Sequence, residues 1–190
     1  AGSFCSAPPG ADRTSTIGRE KGTNALMRID DEDAFVHALL SSLGTYPPYF
    51  SRLAADNREG PGEPGPAVLT PLGAAEVFGL RHQGAEVVDV RPTADYAAGH
   101  LKGSLAIPLR GVFATWLGWL LPDPDAPIVI VRNPDQDPEE IIWQARKVGY
   151  SRIVGELAGG VAAWATAGEA LQATPLADPA RVDPATVVDV

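Results

Sequence analysis

A single cysteine, Cys5, in a chain of 190 residues leaves no internal disulfide framework, no C-x-x-C pair and no zinc ribbon. The first basic residue after it is Arg13, so nothing nearby would favour a thiolate, and no nucleophile is expected there. Histidine is almost as scarce. His37, His82 and His100 share no metal-ligand spacing, and each reads as a surface or turn residue, so no metal site is expected on this chain. Basic residues are also few: 15 Lys and Arg against 24 Asp and Glu give a net charge of -9 and a pI near 4.7. Nucleic-acid backbones and anionic membranes would be repelled, and neither is expected as a partner. No apolar run approaches the ~20 residues needed to span a bilayer, and no signal-peptide pattern opens the sequence. A cytoplasmic location is the default expectation.

Apolar residues make up 45% of the chain, enough for a real core, while 20 Gly and 18 Pro imply many turns and linkers. The length suits one ordinary domain plus a smaller piece. Residues 1–30 show no period and read as extended loop. Four carboxylates at 30–33 then sit where they offset a helix dipole, and Phe35, Val36, Leu39, Leu40 and Leu43 follow at helical spacing, which predicts a helix over 31–43 stopped by Gly44. A turn at 46–50 leads to a second short helix ending near Asn57. The Pro- and Gly-rich run after that helix blocks both regular structures, and a linker is placed at 62–66.

The stretch 85–105 organises the larger part of the chain. An apolar strand runs into Asp89 and Arg91, a short acidic helix carries Asp95 and Tyr96, and Gly99-His100 leads to a second strand near Ser104. Consecutive apolar residues before a polar turn predict a parallel strand covered on both faces, hence an α/β domain with helices on both sides of its sheet. Before it, Thr70-Pro71 reads as a helix cap, with Glu76 in an early turn and Val77, Phe78 and Leu80 on the apolar side. After it, 109–121 holds Phe113, Trp116, Leu117, Trp119 and Leu120, too many for one buried stripe. Some of that surface should meet another domain or subunit, with a homodimer through Phe113, Trp116 and Trp119 as one outcome and a plain buried helix as the competing one. A strand at 128–131, a helix at 138–150 and a strand at 152–157 follow, then Gly159-Gly160 and the core aromatic Trp164. Residues 171–186 read as a second linker.

The order Asp89-x-Arg91, acidic helix, Gly99-His100-Leu101-x-Gly103-Ser104 resembles the N-terminal signature of rhodanese-like domains, and the later segments keep that family's order over about 67–170. The resemblance implies a parallel sheet flanked by helices on both faces. Read as residues alone, Asp89, Arg91, Gly99, His100 and Gly103 are structural, holding a strand end and its turn. The family also implies a cysteine directly after the strand 128–131, in a loop whose N–H groups surround a persulfide. That position falls here on Arg132 or Asn133. The loop Arg132, Asn133, Pro134, Asp135, Gln136, Asp137 contains no sulfur nucleophile. Pro134 and Pro138 each remove a donor, four carboxylates stand where an anion would need positive potential, and Asp137-Pro138 is a helix start that satisfies its own N-terminus. The loop reads as degenerate, with no catalytic residue. An active sulfurtransferase is the alternative. The acidic run 135–140 could also hold a cation or a basic partner, though its ligand spacing is irregular and a solvated helix start explains it.

The N-terminal piece has its own resemblance. Gly2, Ser3, Cys5, Ser15-Thr16-Ile17-Gly18, Asn24, Asp33, Phe35-Val36, Pro47, Tyr49-Phe50, Asn57-Arg58 and Gly60-Pro61 are similar to the C-terminal tail of metallo-β-lactamase-fold proteins with fused rhodanese domains, a family with persulfide-dioxygenase-like and glyoxalase II-like members. The resemblance places residues 1–61 in that tail. It implies a parent acting on a glutathione-type thioester or persulfide, with iron or zinc held in a metal domain upstream and none on this chain. The closing 185–190 nearly repeats 85–90, similar to the first strand of a second rhodanese-like repeat, with chance similarity as the other explanation. The expected partners are the parent's metal domain, that repeat, and a second copy of the chain.

Overall fold

The computed structural model describes residues 14–42, 46–60 and 65–178. Cys5, Leu43, Gly44 and the repeat-like stretch 185–190 lie outside the described residues, as do Gly2, Ser3 and Pro61. The chain forms two compact units, divided after Tyr46.

In the first unit, α1 (Ile17–Thr23) and a 3-10 turn (Leu26–Arg28) occupy part of the region expected to be loop. The helix forms because the Thr16 side chain caps it, accepting from Arg19 N at 3.2 Å, with Glu20 in its first turn; Gly18 and Gly22 mask that signal in the sequence. α2 (Glu32–Ser42) is capped by Asp31, whose Oδ1 accepts from Ala34 N at 2.7 Å.

The second unit opens with α3 (Phe50–Glu59), then β1 (Pro71–Leu72), α4 (Ala74–His82), β2 (Glu86–Asp89), α5 (Thr93–Ala98), β3 (His100–Leu101) and β4 (Leu105–Ala106). It continues through α6 (Phe113–Leu120), β5 (Ile128–Val131), α7 (Pro138–Arg146), β6 (Ile153–Leu157), α8 (Gly160–Thr166) and β7 (Leu171–Gln172). Five strands form a parallel sheet in the order β1-β6-β5-β2-β4. Side chains alternate across it. Val88, Ile128 and Ile130 pack against Phe113 and Leu117 of α6 and Ile141, Ile142 and Ala145 of α7. Val87, Val129 and Val131 meet Val77 of α4 and Trp164 of α8 on the other side. All four residues of β5 are buried, as a central strand between two helix layers requires.

The structure departs from expectation at Pro71, at residues 171–172 and at Phe113. Pro71 is not at a helix start but in the edge strand β1: Thr70 O and Leu72 O accept from Glu156 N at 2.8 Å and Ala158 N at 2.9 Å, and an edge position tolerates a residue without an N–H. The approach is that close because residue 155 is glycine; a Cβ there would lie 2.3 Å from Thr70 O. The helix itself begins at Ala74, with the Glu76 carboxylate accepting from Gly73 N at 2.7 Å. Residues 171–172, composed like linker, form β7 antiparallel to β3, and Thr174 N donates to Ala97 O at 2.9 Å. Phe113 is 1% exposed and cannot face a partner, since helical spacing puts it with Leu117 on the inward stripe, while Trp116 and Trp119 stay exposed at 48% and 37%.

Tyr150, after α7, is fully buried, and its hydroxyl donates to Leu121 O. Burial pushes the phenol above its ordinary range, the Asp123 carboxylate and Tyr49 acting the same way and Arg52 opposing them. The folded chain therefore holds this proton more tightly than the unfolded chain does. The associated stability is fully present below the unfolded value of about 10 and falls as pH rises beyond it. Urea unfolding midpoints should stay level into mild alkali and then decline. In Tyr150→Phe that decline should shrink, with a loss of about 1 kcal/mol at neutral pH from the missing hydrogen bond. An undiminished decline in the variant would contradict the assignment.

Candidate functional site

The C-terminal ends of β2, β5 and β6 converge on the loop 132–137, where ligands of open parallel sheets bind. Arg132 is the residue directly after β5. Its guanidinium lies along β6 and grips Glu156 with two donors: Nε to Oε2, and Nη2 to Oε1 at 3.0 Å. The remaining arm turns into the loop, where Nη1 donates to Gln136 O at 2.9 Å and Asn133 O at 3.3 Å. Both side chains of the ion pair are more than four-fifths buried, at 18% and 17% exposure.

The loop is further tied to its surroundings. Asn133 Nδ2 donates to Asp95 Oδ2 of α5 at 2.6 Å, and Gln136 Nε2 donates to Val90 O at 2.7 Å. Internally, Asn133 N donates to Gln136 Oε1 at 2.9 Å and Gln136 N to Asn133 O at 3.1 Å. Asp137 caps α7 by accepting from Glu139 N at 2.9 Å, with Pro138 at the first helical position. Pro134 and Asp135 stay exposed on the loop's outer side. Between Arg132 and Glu139, the backbone N–H groups of Asn133, Gln136 and Glu139 are spent on the chain's own acceptors, and Pro134 and Pro138 have none. Carbonyl oxygens point inward at a guanidinium. That polarity suits a cation and opposes an anion, and neither an amide nor a guanidinium attacks sulfur.

Asp89, Arg91, Gly99, His100 and Gly103 form a second network beside this loop. Asp89 is 0% exposed and Arg91 5%. Arg91 Nε lies 2.9 Å from Asp89 Oδ1 and Nη2 lies 2.6 Å from Oδ2, and Nη2 also donates to Gly99 O at 2.8 Å. The His100 ring stacks on Tyr96 at 3.8 Å between centroids, with Nδ1 2.8 Å from Tyr96 O, while Tyr96 OH donates to Ser104 O at 2.8 Å. Gly103 adopts a φ of 77° beside Lys102, whose carbonyl accepts from Arg81. Asp89, Arg91, Tyr96 and His100 thus find their partners within the turn itself.

No group of three or more His, Cys, Asp or Glu among the described residues could hold a metal ion. His82 and His100 each set Nδ1 against a helix carbonyl, Phe78 O and Tyr96 O. No helix among the described residues is long and apolar enough to cross a membrane. The partners Glu156 and Asp95 went unidentified in the sequence. A lone carboxylate inside the apolar run Ile153–Leu157 was the available signal, since a charge in a strand needs a counter-ion.

Residues 74–167 match the family described as Rhodanese-like domain. Among solved structures, the metallo-beta-lactamase from Staphylococcus aureus subsp. aureus COL is 27% identical, covering 83% of this chain and 42% of that one, with a TM-score of 0.56. The Alr3790 protein from Anabaena sp. is 24% identical over 55% of this chain and 94% of that one, TM-score 0.47. The thiosulfate sulfurtransferase from Pseudomonas aeruginosa is 22% identical over 67% and 23%, TM-score 0.44. No curated protein matches the chain. The chain contains a rhodanese-like domain, and its five-stranded parallel sheet flanked by helices is that fold. It spans less than half the length of the staphylococcal protein.

If the Arg132–Glu156 pair organises the loop, Arg132→Ala and Glu156→Ala should each cost about 1–3 kcal/mol in urea unfolding, because each leaves a largely buried polar partner unsatisfied. The double variant should be less destabilised than the sum, by roughly 1–2 kcal/mol of coupling. Additive losses would mean that the two side chains act independently.

Proposed function

We propose that this chain is the non-catalytic rhodanese-like part of a metallo-β-lactamase-fold/rhodanese fusion protein, serving as a structural or interaction module rather than as a sulfurtransferase. The observation that carries this reading is Arg132: the residue directly after β5 is a guanidinium held by Glu156 and by the loop's own carbonyls. A persulfide carrier needs a thiolate there and donors around it. The similarity to the staphylococcal metallo-beta-lactamase supports the fusion, because 83% of this chain is more than the second unit alone can supply. The likeness therefore reaches into the first unit as well.

The parent would be a metal-dependent hydrolase or persulfide dioxygenase acting on a glutathione-type thioester or persulfide. Its iron or zinc would reside in the metal domain, since the described residues of this chain do not fit a metal. Trp116, Trp119 and Leu120, exposed on α6, offer a surface for a homodimer or a second rhodanese-like repeat.

A thiosulfate-to-cyanide transfer assay tests the reading. The chain should form no thiocyanate above the buffer background. Arg132→Cys should also fail, because a new thiol leaves Pro134, Pro138 and the carboxylates in place. Turnover by the unaltered chain that disappears when Cys5 is changed would overturn the proposal in favour of a sulfurtransferase.

A further inference from the structure

A cleft lies beside the start of β2. β2 and β5 run parallel and begin together, Glu86 opposite Ile128, so this cleft is a strand's length away from the loop that follows β5. Its volume is about 380 Å³, within the ~300–1,000 Å³ usual for small-molecule sites. Phe78, Arg81 and His82 of α4 line it together with residues 84–87 and Gly103. Gly84 and Gly103 hold φ of 92° and 77°, so both positions favour glycine and present bare backbone to the cleft. Arg81 is half-buried, its guanidinium carbon 6.0 Å from the centre of the Trp164 ring and one arm donating to Lys102 O. No carboxylate among the described residues pairs with it. Glu86 is exposed and equally without an ion-pair partner among the described residues. Phe78 is 42% exposed, its ring 4.3 Å from that of His82, whose Nδ1 lies 2.8 Å from Phe78 O. Arg81 and His82 complement the negative end of α4, but that role uses neither the carboxylate nor the open ring.

We propose that this cleft binds a free α-amino acid with an apolar side chain, a ligand site that goes beyond the reading above and does not depend on it. The unpaired guanidinium fork matches a carboxylate through two parallel N–H···O bonds. Glu86 and the carbonyl end of α4 favour the ammonium group carried on the same carbon. The Phe78 ring, with Ala85 and Val87, takes the apolar side chain. A dianion such as phosphate fits less well, because Glu86 and the helix end repel its second negative charge. The cleft is at the small end of its size class, which suits a metabolite rather than a polymer. A bound carboxylate also acts on the turn before β4, since the guanidinium that would hold it already donates to Lys102 O.

Titration of the nitrogen-15-labelled 190-residue chain with L-phenylalanine, followed by amide NMR shifts, tests the site. Shifts at residues 78–87 and 102–104 should saturate with a Kd of about 1 mM or tighter, while those of the loop 132–137 stay in place. L-phenylalaninamide lacks the carboxylate and 3-phenylpropionate lacks the ammonium, and each should bind about tenfold more weakly or worse. Arg81→Lys keeps the charge but loses the fork, and should raise the Kd about tenfold. Glu86→Gln should weaken binding through the ammonium, and because Glu86 is exposed this variant remains a test even if Arg81→Lys does not fold. Unmoved β5 amides show which variants are folded. No saturable shift at 78–87 in the millimolar range overturns the proposal and leaves Arg81 and His82 as complements of the helix end alone. Equal affinity for 3-phenylpropionate or L-phenylalaninamide, or an unaltered Kd in Glu86→Gln, overturns it too, because recognition of the amino acid's two charges is then absent.

Discussion

The buried pair of Asp89 and Arg91 fixes the geometry on which the rest of the rhodanese-like domain depends. Both side chains lie at the end of β2, almost without solvent, and a buried pair tolerates the loss of one partner poorly: the survivor is an uncompensated charge costing about 3–5 kcal/mol. Arg91 also donates to Gly99 O, which sets where α5 ends and His100 begins. From there the Tyr96–His100 stack and the pairing of β3 with β7 follow. The chain direction after β2 is thereby set, and with it the positions of Val90 O and Asp95.

Those two acceptors are what the neighbouring loop hangs from. Gln136 reaches Val90 O and Asn133 reaches Asp95. Arg132 closes the structure from the opposite side through Glu156 on β6. The result is a loop anchored to its neighbours on both sides with a cation at its centre, its carbonyls inward and its carboxylates outward. Dependence runs one way: the ion pair in the turn positions the anchors, and the anchors position the loop. Electrostatic preference at this site is thus a property of the fold around it as much as of the missing thiol.

Much of the architecture was legible because it rests on local patterns. Apolar runs marked β2 and β5, and Asp137-Pro138-Glu139-Glu140 marked the start of α7 through capping chemistry that needs no tertiary information. The remaining features depend on distant partners. Pro71 reads locally as a helix start, and its place in a strand depends on an edge position beside β6, where a missing donor is forgiven. β7 carries no local signal because its partner strand lies far upstream, His100 opposite Gln172 and Leu101 opposite Leu171. Phe113 and Trp116 look alike in composition, and only the helix phase relative to the sheet separates buried from exposed. At the candidate site, the loop's boundaries could be read, but its central contact joins Arg132 to a residue 24 positions away. No local signal pairs those two.

The loop after β5 is closed around the Arg132 guanidinium, and nitrogen-15 NMR of the arginine side chains measures this directly through the exchange of the Arg132 Nε–H with water. Held by Glu156 and more than four-fifths buried, that proton should remain visible and slowly exchanging at mildly alkaline pH, where solvated arginine Nε–H signals are lost. An Arg132 signal that vanishes with those of the exposed arginines would contradict this closure and leave the loop open.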